Sequence, residues 1–434
     1  MSNLLVPKKY FFLALIFCLQ SISAQTIYLH CGNLFDSTSG RMLKKQTVIV
    51  DGNEIKQVET GYTYPTDSAI EVIDLSEKTV YPGFIDLHVH VESETTKKSY
   101  LDTYEKNPED IALDGVVYAE KTLMAGFTTV RDLGGSGVNI ALSKAINAGK
   151  IAGPRIFTAG KSLATTGGHA DPTNGYRRDL RGDPGPLQGV VNSIADAKEA
   201  VRHRYKNGAH WIKITATGGV LSVAKSGQNP QFTEEEIEAI TKTAKDYGLD
   251  VAAHAHGDEG MQRAVKMGVK TIEHGTLMSE KTMDLMKEKG VYLVPTITAG
   301  KEVAEKASIP GYYPEIIVPK ALKIGAQIQN TFAKAFKRGV PIAFGTDAGV
   351  FPHGKNALEF GYMEEAGMPM AEVLQSATIV NAKILDQASE LGQIAPGFKA
   401  DMVATHENAL LDSGTLNDIF FVMKEGKIYK NKMD

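Results

Sequence analysis

Cysteine is scarce in this chain. Two occur among 434 residues, at Cys18 and Cys31. Positive charge is not in excess either, because the formal net charge is −4 and no extended basic tract occurs. That removes the electrostatic argument for a nucleic-acid partner. No GxGxxG or GxxxxGK[ST] stretch occurs, so nucleotide binding is without support. The most apolar run, YFFLALIFCL at residues 10–19, is too short for a confident membrane span.

That run has another reading. Lys8 and Lys9 precede it, and the small residues of SISAQ follow. A basic start, a short apolar stretch and a small-residue end make a secretory signal peptide over residues 1–24, cleaved after Ala24. IFC does not match a lipoprotein processing site, which argues against lipidation at Cys18. The mature chain would keep Cys31 alone and form no intrachain disulfide. Packing must then hold the fold. The expected location is across the inner membrane, in the periplasm, with no stable membrane span after cleavage.

The composition is that of a globular protein, with 43% apolar residues and 42 glycines. Residues 25–80 read as short alternating strands, with a hairpin turn at Asp51-Gly52. Residues 389–434 read the same way, with a turn at Glu425-Gly426. The two ends are expected to form one small β-sandwich domain around an inserted middle. Over residues 81–388 strands alternate with helices, as parallel strands require. TEEEIEAITKTAKDYG (233–248) shows the pattern: Thr233 and Glu236 make a capping box, and Ile237, Ile240 and Ala244 follow at helical spacing. Strand starts fall near 83, 126, 154, 211, 251, 271, 291 and 341. The fold class is α/β, a (β/α)8 TIM-like barrel, with a doubly wound open sheet as the alternative.

Unusual polar residues sit at the predicted strand ends. In YPGFIDLHVH, His88 and His90 share one face of a strand. His254 and His256 end another strand, His274 a third and Asp347 a fourth. A lone strand-end histidine is usually structural. Several converging on the C-terminal face of a barrel suit a divalent ion such as zinc. In HWIKITA, Lys213 shares a face with Trp211 and Thr215, while Ile212 and Ile214 take the other. A bare ammonium inside the barrel would be desolvated and would repel a metal. Carbamylation would turn it into a carboxylate-like bridge; a neutral or ion-paired lysine is the alternative.

These motifs together resemble the amidohydrolase superfamily of metal-dependent hydrolases. PGFIDLHVH resembles its first-strand HxH motif, and PGFKAD (396–401) resembles a strand of its composite sheet domain. The likeness implies two divalent ions, most commonly Zn2+, bridged by carboxylated Lys213. His88, His90 and Asp347 would hold one ion, and His254 and His274 the other. TTGGHAD (165–171), GGVLS (218–222), AAHAHG and FGTDAG resemble loops of Xaa-Pro dipeptidase-like enzymes and related carboxypeptidases. By that resemblance His169 would lie near the reacting carbonyl. His256 is a substrate contact or a structural neighbour. Arg131 could reach a substrate carboxylate, although a structural role beside Asp132 is favoured. Tyr176, Arg177, Arg178 and His353 are weaker substrate-binding candidates.

The chemistry this implies is hydrolysis of a peptide or N-acyl amino acid next to a C-terminal amino acid. Two metals would lower the pKa of a bridging water, and Asp347 would pass its proton to the leaving amine. A lactonase or phosphotriesterase would use almost the same site. A mononuclear deaminase would leave Lys213 unexplained; His256 and Glu259 fit its HxxE spacing only if Glu259 is not a solvated helix-start acid, the favoured reading. A binding protein on this fold would be expected to have lost ligands. No feature of the sequence sets a homo-oligomeric state.

Overall fold

The computed structural model describes residues 26–223 and 226–432. The expected signal peptide lies outside them. No helix among the described residues is long and apolar enough to cross a membrane.

Both chain ends enter one seven-stranded sheet. The N-terminal part supplies Thr26–Asp36, Arg41–Asp51, Glu54–Thr60 and Glu71–Pro82, and the C-terminal part supplies Met402–Thr405, Phe421–Lys424 and Lys427–Asn431. Glu71–Pro82 joins the two parts. It runs parallel to Thr26–Asp36 and antiparallel to Met402–Thr405, with Pro82 opposite Met402. In its hydrogen bonding the expected sandwich is thus one continuous sheet. Alternation along the strands buries Leu29, Cys31, Val48, Val50, Met402 and Phe421 in a common core. The hairpin at Asp51-Gly52 forms as expected, and at Glu425-Gly426 both residues take positive φ, 51° and 73°. That pair suits a two-residue hairpin turn.

The middle of the chain alternates strand and helix. Phe84–Val89, Phe127–Asp132 and Arg155–Thr158 form a parallel three-stranded sheet. Trp211–Thr215, Asp250–Ala255, Thr271–His274 and Tyr292–Val294 form a parallel four-stranded one. The two sheets meet at both edges. On one side His210 N–H donates to Thr158 O (2.7 Å), and Leu163 bridges Ile214. On the other, residues 342–348 lie between Tyr292–Val294 and Phe84–Val89, with parallel bridges Leu293–Ile342 and Val89–Ala348.

Two expected strands are shortened. PIAFGTD is not a regular strand: Asp347 takes φ +63°, which breaks the extended path. The strand expected over residues 291–300 stops at Val294, because Thr296 takes φ +53° and a helix, Ile297–Ala307, begins behind it. The helix from Thr233 forms as expected over Glu234–Asp246. Thr233 Oγ1 accepts from Glu236 N–H and Glu236 Oε2 accepts from Thr233 N–H. Ile237, Ile240 and Ala244 are buried beneath it.

Candidate active site

The C-terminal ends of the parallel strands surround a cavity of about 240 Å³. Its walls include His88, His90, Lys213, His254, His256, His274 and Asp347, and His169 from the loop after Arg155–Thr158. These residues come from widely separated parts of the chain. Strand alternation is what aims them. In Trp211–Thr215, Ile212 and Ile214 enter the hydrophobic core, while Lys213 turns inward and brings Nζ to 3.4 Å from His88 Nε2. In Phe84–Val89 the same alternation aims Asp86 and His88 to one side, with His90 just beyond.

Five of these imidazoles, all but His169, have one nitrogen committed to an outer partner. His88 Nδ1 donates to the buried Glu273 carboxylate (2.8 Å). His90 Nδ1 donates to Gly134 O (2.7 Å). Both acceptors lack a proton to give, so Nε2 of each ring keeps its lone pair for the cavity. His254 is reversed: its Nε2 donates to Gly218 O (3.2 Å), which leaves Nδ1 as the acceptor. His274 Nδ1 pairs with Thr296 Oγ1 (2.7 Å) and His256 Nδ1 with Thr276 Oγ1 (2.9 Å). Such outer partners fix ring orientation and the donor atom in metal sites. Two sets of donors come close enough to share an ion each: His254, His256 and His274, and His88, His274 and Asp347.

The backbone is bent to make this arrangement. His274 takes φ +71° and Asp347 +63°, and the Thr296 that holds His274 takes +53°. Left-handed geometry is costly for residues with a side chain and gathers at functional sites. Asp347 is held there by neighbours. Its N–H donates to His88 O (2.7 Å), and Asp86 accepts from the N–H and hydroxyl of Thr346 (3.1 and 2.6 Å). Asp86 also accepts from Asn356 Nδ2 and His88 N–H.

The electrostatics are those of a buried, crowded site. Burial lowers the Lys213 amine to about 8. Burial, with Lys213 beside it, lowers His88 to about 4, and burial lowers His256 to about 4 and His169 to about 3. His254 and His274 are pushed well below the usual imidazole value, first by burial and then by neighbouring rings. Burial also pulls His90 down, but Asp347 outweighs it and the pKa rises. For Asp347 burial pushes up, and His88, His90 and Lys213 together bring it below the ordinary carboxylate value. Asp347 Oδ1 lies 3.2 Å from His90 Nε2 and 3.5 Å from His88 Nε2, is buried, and has no hydrogen bond. Imidazoles held neutral by burial at His88, His254, His256 and His274, with His90 and the unsatisfied buried oxygen of Asp347 beside them, form a donor set that fits divalent cations.

His169 stacks on His254 with ring centres 4.4 Å apart, and its buried Nδ1 has no partner. Gln231 accepts from its backbone N–H. His256 also lines the cavity, within reach of the His254 and His274 donors. Six other candidates do not line it. Arg131 is fully buried: its guanidinium donates to Leu87 O, Thr271 Oγ1 and Glu273 and lies over Trp211, away from the cavity. These partners do not include Asp132, whose carboxylate instead accepts from Val91, Gly134 and Asn139. His353 Nε2 donates to His90 O and Ser93 O, and its ring stacks on Tyr118, so it braces the HxH strand from behind. Tyr176 packs on Tyr104, Arg177 pairs with Asp179 on the surface, and Arg178 is exposed. Glu259 pairs with Arg263 at the start of its helix, at the surface.

Sequence reasoning missed the supports. Asp86 shares the face of His88 in FIDLH, a signal that alternation alone would have revealed. Glu273 precedes His274 in TIEH and carries the Arg131–Glu273–His88 chain. Nothing local marks Thr296 or the Gly134 carbonyl.

Residues 79–431 match the model of the amidohydrolase family. The chain belongs to the amidohydrolase family. A curated relative, the ochratoxinase of Aspergillus niger, is 32% identical over 373 residues, covering 80% of this chain and 75% of that protein. A crystal structure of a Xaa-Pro dipeptidase with bound methionine is 50% identical, with a TM-score of 0.91, over 94% of this chain and all of that one. A prolidase complexed with N-methylphosphonate-L-proline is 33% identical, with a TM-score of 0.84, over 94% of this chain. This amidohydrolase is therefore an enzyme that hydrolyses amide bonds, of a metal-dependent family, and its His and Asp clusters can bind metal.

Proposed function

We propose that this amidohydrolase is a two-metal dipeptidase or carboxypeptidase, cleaving the amide bond next to a C-terminal amino acid, with Xaa-Pro dipeptides among the candidate substrates. The observation that carries the reading is the inward commitment of donor atoms. The lone pairs of His88 and His90, Nδ1 of His254, and the unpartnered Asp347 Oδ1 all belong to one buried cavity. Likeness to a Xaa-Pro dipeptidase, a prolidase and an ochratoxinase supports the substrate class.

His88, His90 and Asp347 would hold one ion and His254 and His274 the other, with Lys213 between them as a carbamate. Zinc suits these donors. When bound, two such ions supply water activation and polarisation of the scissile carbonyl. The lowered amine pKa favours the carbamate, because only a neutral amine attacks carbon dioxide. Glu273 holds His88 as its Nδ1–H tautomer. Asp347 would take the proton of the attacking water and return it to the leaving nitrogen. His169 would donate to the carbonyl oxygen as negative charge develops there.

The wider reading follows the same lines. The two parallel sheets and residues 342–348 are taken as one (β/α)8 barrel over 81–388, with residues 25–80 and 389–434 as its companion sheet domain. Residues 1–24 are taken as a cleaved signal peptide directing the chain to the periplasm. Metal analysis of the purified protein, with hydrolysis assays on Xaa-Pro and other dipeptides, N-acyl amino acids, lactones and aryl phosphotriesters, tests the function. Two ions per chain and turnover of amides are expected. Turnover of lactones or phosphotriesters alone would replace the reading.

A further inference from the structure

The cavity has two unlike halves. The donors described above make one. The other is made by Val220, Leu221, Val303, Ile324, Ile328 and Val350. It is a built surface. Val303 stands on the helix Ile297–Ala307, and Ile324 and Ile328 on Val318–Arg338. The two helices close on each other at glycines. A Cβ at Gly300 would meet Ile328 at 2.7 Å, and one at Gly325 would meet Ala304 at 2.3 Å. That close approach is what lets side chains of the second helix reach the cavity past the first. Behind the wall, Val220, Val303 and Ile324 continue into a separate apolar cluster with Tyr313, Ile317 and Ala321.

At the edge of the apolar half, Lys320 stands one turn before Ile324 on the same helix and donates to Gly219 O and Ser222 O. Among the described residues, Lys213 and Asp347 are the cavity's only lysine, arginine, aspartate or glutamate. A cationic substrate side chain turned toward the apolar half would lose its water and meet Lys320 rather than a counter-charge. An apolar one would gain by leaving water.

We infer that this wall is a specificity pocket for an uncharged, apolar side chain of the substrate, and that it excludes lysine and arginine. The inference rests on the reading of the site as an amino-acid-releasing hydrolase.

Norleucine and lysine share a four-carbon stem and differ at its end, so they isolate the charge. Kinetics of the zinc-loaded enzyme on Ala-norleucine, norleucine-Ala, Ala-Lys and Lys-Ala give one readout. Calorimetric binding of free L-norleucine and L-lysine gives another that needs no turnover. At one position or the other, kcat/KM for norleucine is expected to exceed that for lysine by at least about a hundredfold. Free norleucine is expected to bind more tightly than lysine. Ile324→Glu should narrow or reverse both preferences, and Ile324→Ala, a milder change, should weaken norleucine without favouring lysine. Comparable use and binding of lysine and norleucine would overturn the pocket and leave the peptidase reading standing. Preferential binding of norleucine with no peptide cleaved would sustain the pocket and overturn the peptidase reading. Failure of both amino acids to bind, with no peptide cleaved, would overturn both.

Discussion

Gly219 shows how much of the site depends on one missing atom. A Cβ built there would lie 2.1 Å from His169 Cε1, far inside van der Waals contact. The imidazole of His169 occupies the space that any other residue at 219 would fill. Gly219→Ala should displace His169 and lower kcat/KM at least about tenfold, or ~1.4 kcal/mol. If the loss runs through His169, adding His169→Ala should cost little more. A double-mutant cycle in kcat/KM checks this, and simple additivity would contradict it. Glu273 is the second case. It is buried between Arg131 and His88; burial pushes its carboxyl up, but the Arg131 charge and the hydrogen bond from His88 Nδ1–H outweigh it and lower the pKa from 4.5 to about 2. The unfolded chain therefore binds the extra proton first as pH falls. The stabilisation is complete above about 4.5 and is lost as pH falls toward about 2. In metal-free protein, Glu273→Gln should flatten the acid limb of a stability-versus-pH curve and lower stability at pH 7 by roughly 3 kcal/mol. An unchanged acid limb would show that Glu273 is not held as an ion.

At the scale of elements, legibility followed the range of the interactions. The helix from Thr233 was readable because its cap and its buried stripe are local. Thr233→Ala should cost about 1 kcal/mol in urea denaturation, and a change below the error of the method would deny the cap its role. The strand ends carrying His88, His254 and His274 were readable because alternation of two residues is local as well. The helix Ile297–Ala307 was not. Its first free N–H groups are accepted by the buried carboxylate of Glu359, 62 residues away for Ile297, and no window of sequence contains that pair. Asp347 was legible as a residue type but not as a conformation. Its positive φ depends on Asp86, which holds Thr346 from the opposite end of the middle segment. For the same reason the partners of Arg131 and His353 were not legible, because they are buried groups from other strands and helices.

The whole molecule is tied together where the chain ends meet. Arg155, at the start of a strand in the three-stranded parallel sheet, pairs with Asp401 (3.1 Å) and Glu425 (2.6 Å) beside the terminal strands. Removing residues 402–434 would strip three strands and leave the edge of Glu71–Pro82 unpaired. Such a chain is expected to aggregate rather than fold into an active core. Recovery of a soluble, monodisperse, fully active product would show that the two ends are not one cooperative unit. The central claim is that this framework delivers Lys213 to a two-metal site. Lys213→Met keeps most of the side chain's length while removing its amine, and metal analysis alongside steady-state kinetics on an accepted dipeptide measures the consequence. The account expects fewer than two tightly bound ions and a loss in kcat/KM of at least about a hundredfold, or roughly 2.7 kcal/mol. Two tightly bound ions with full activity would contradict it.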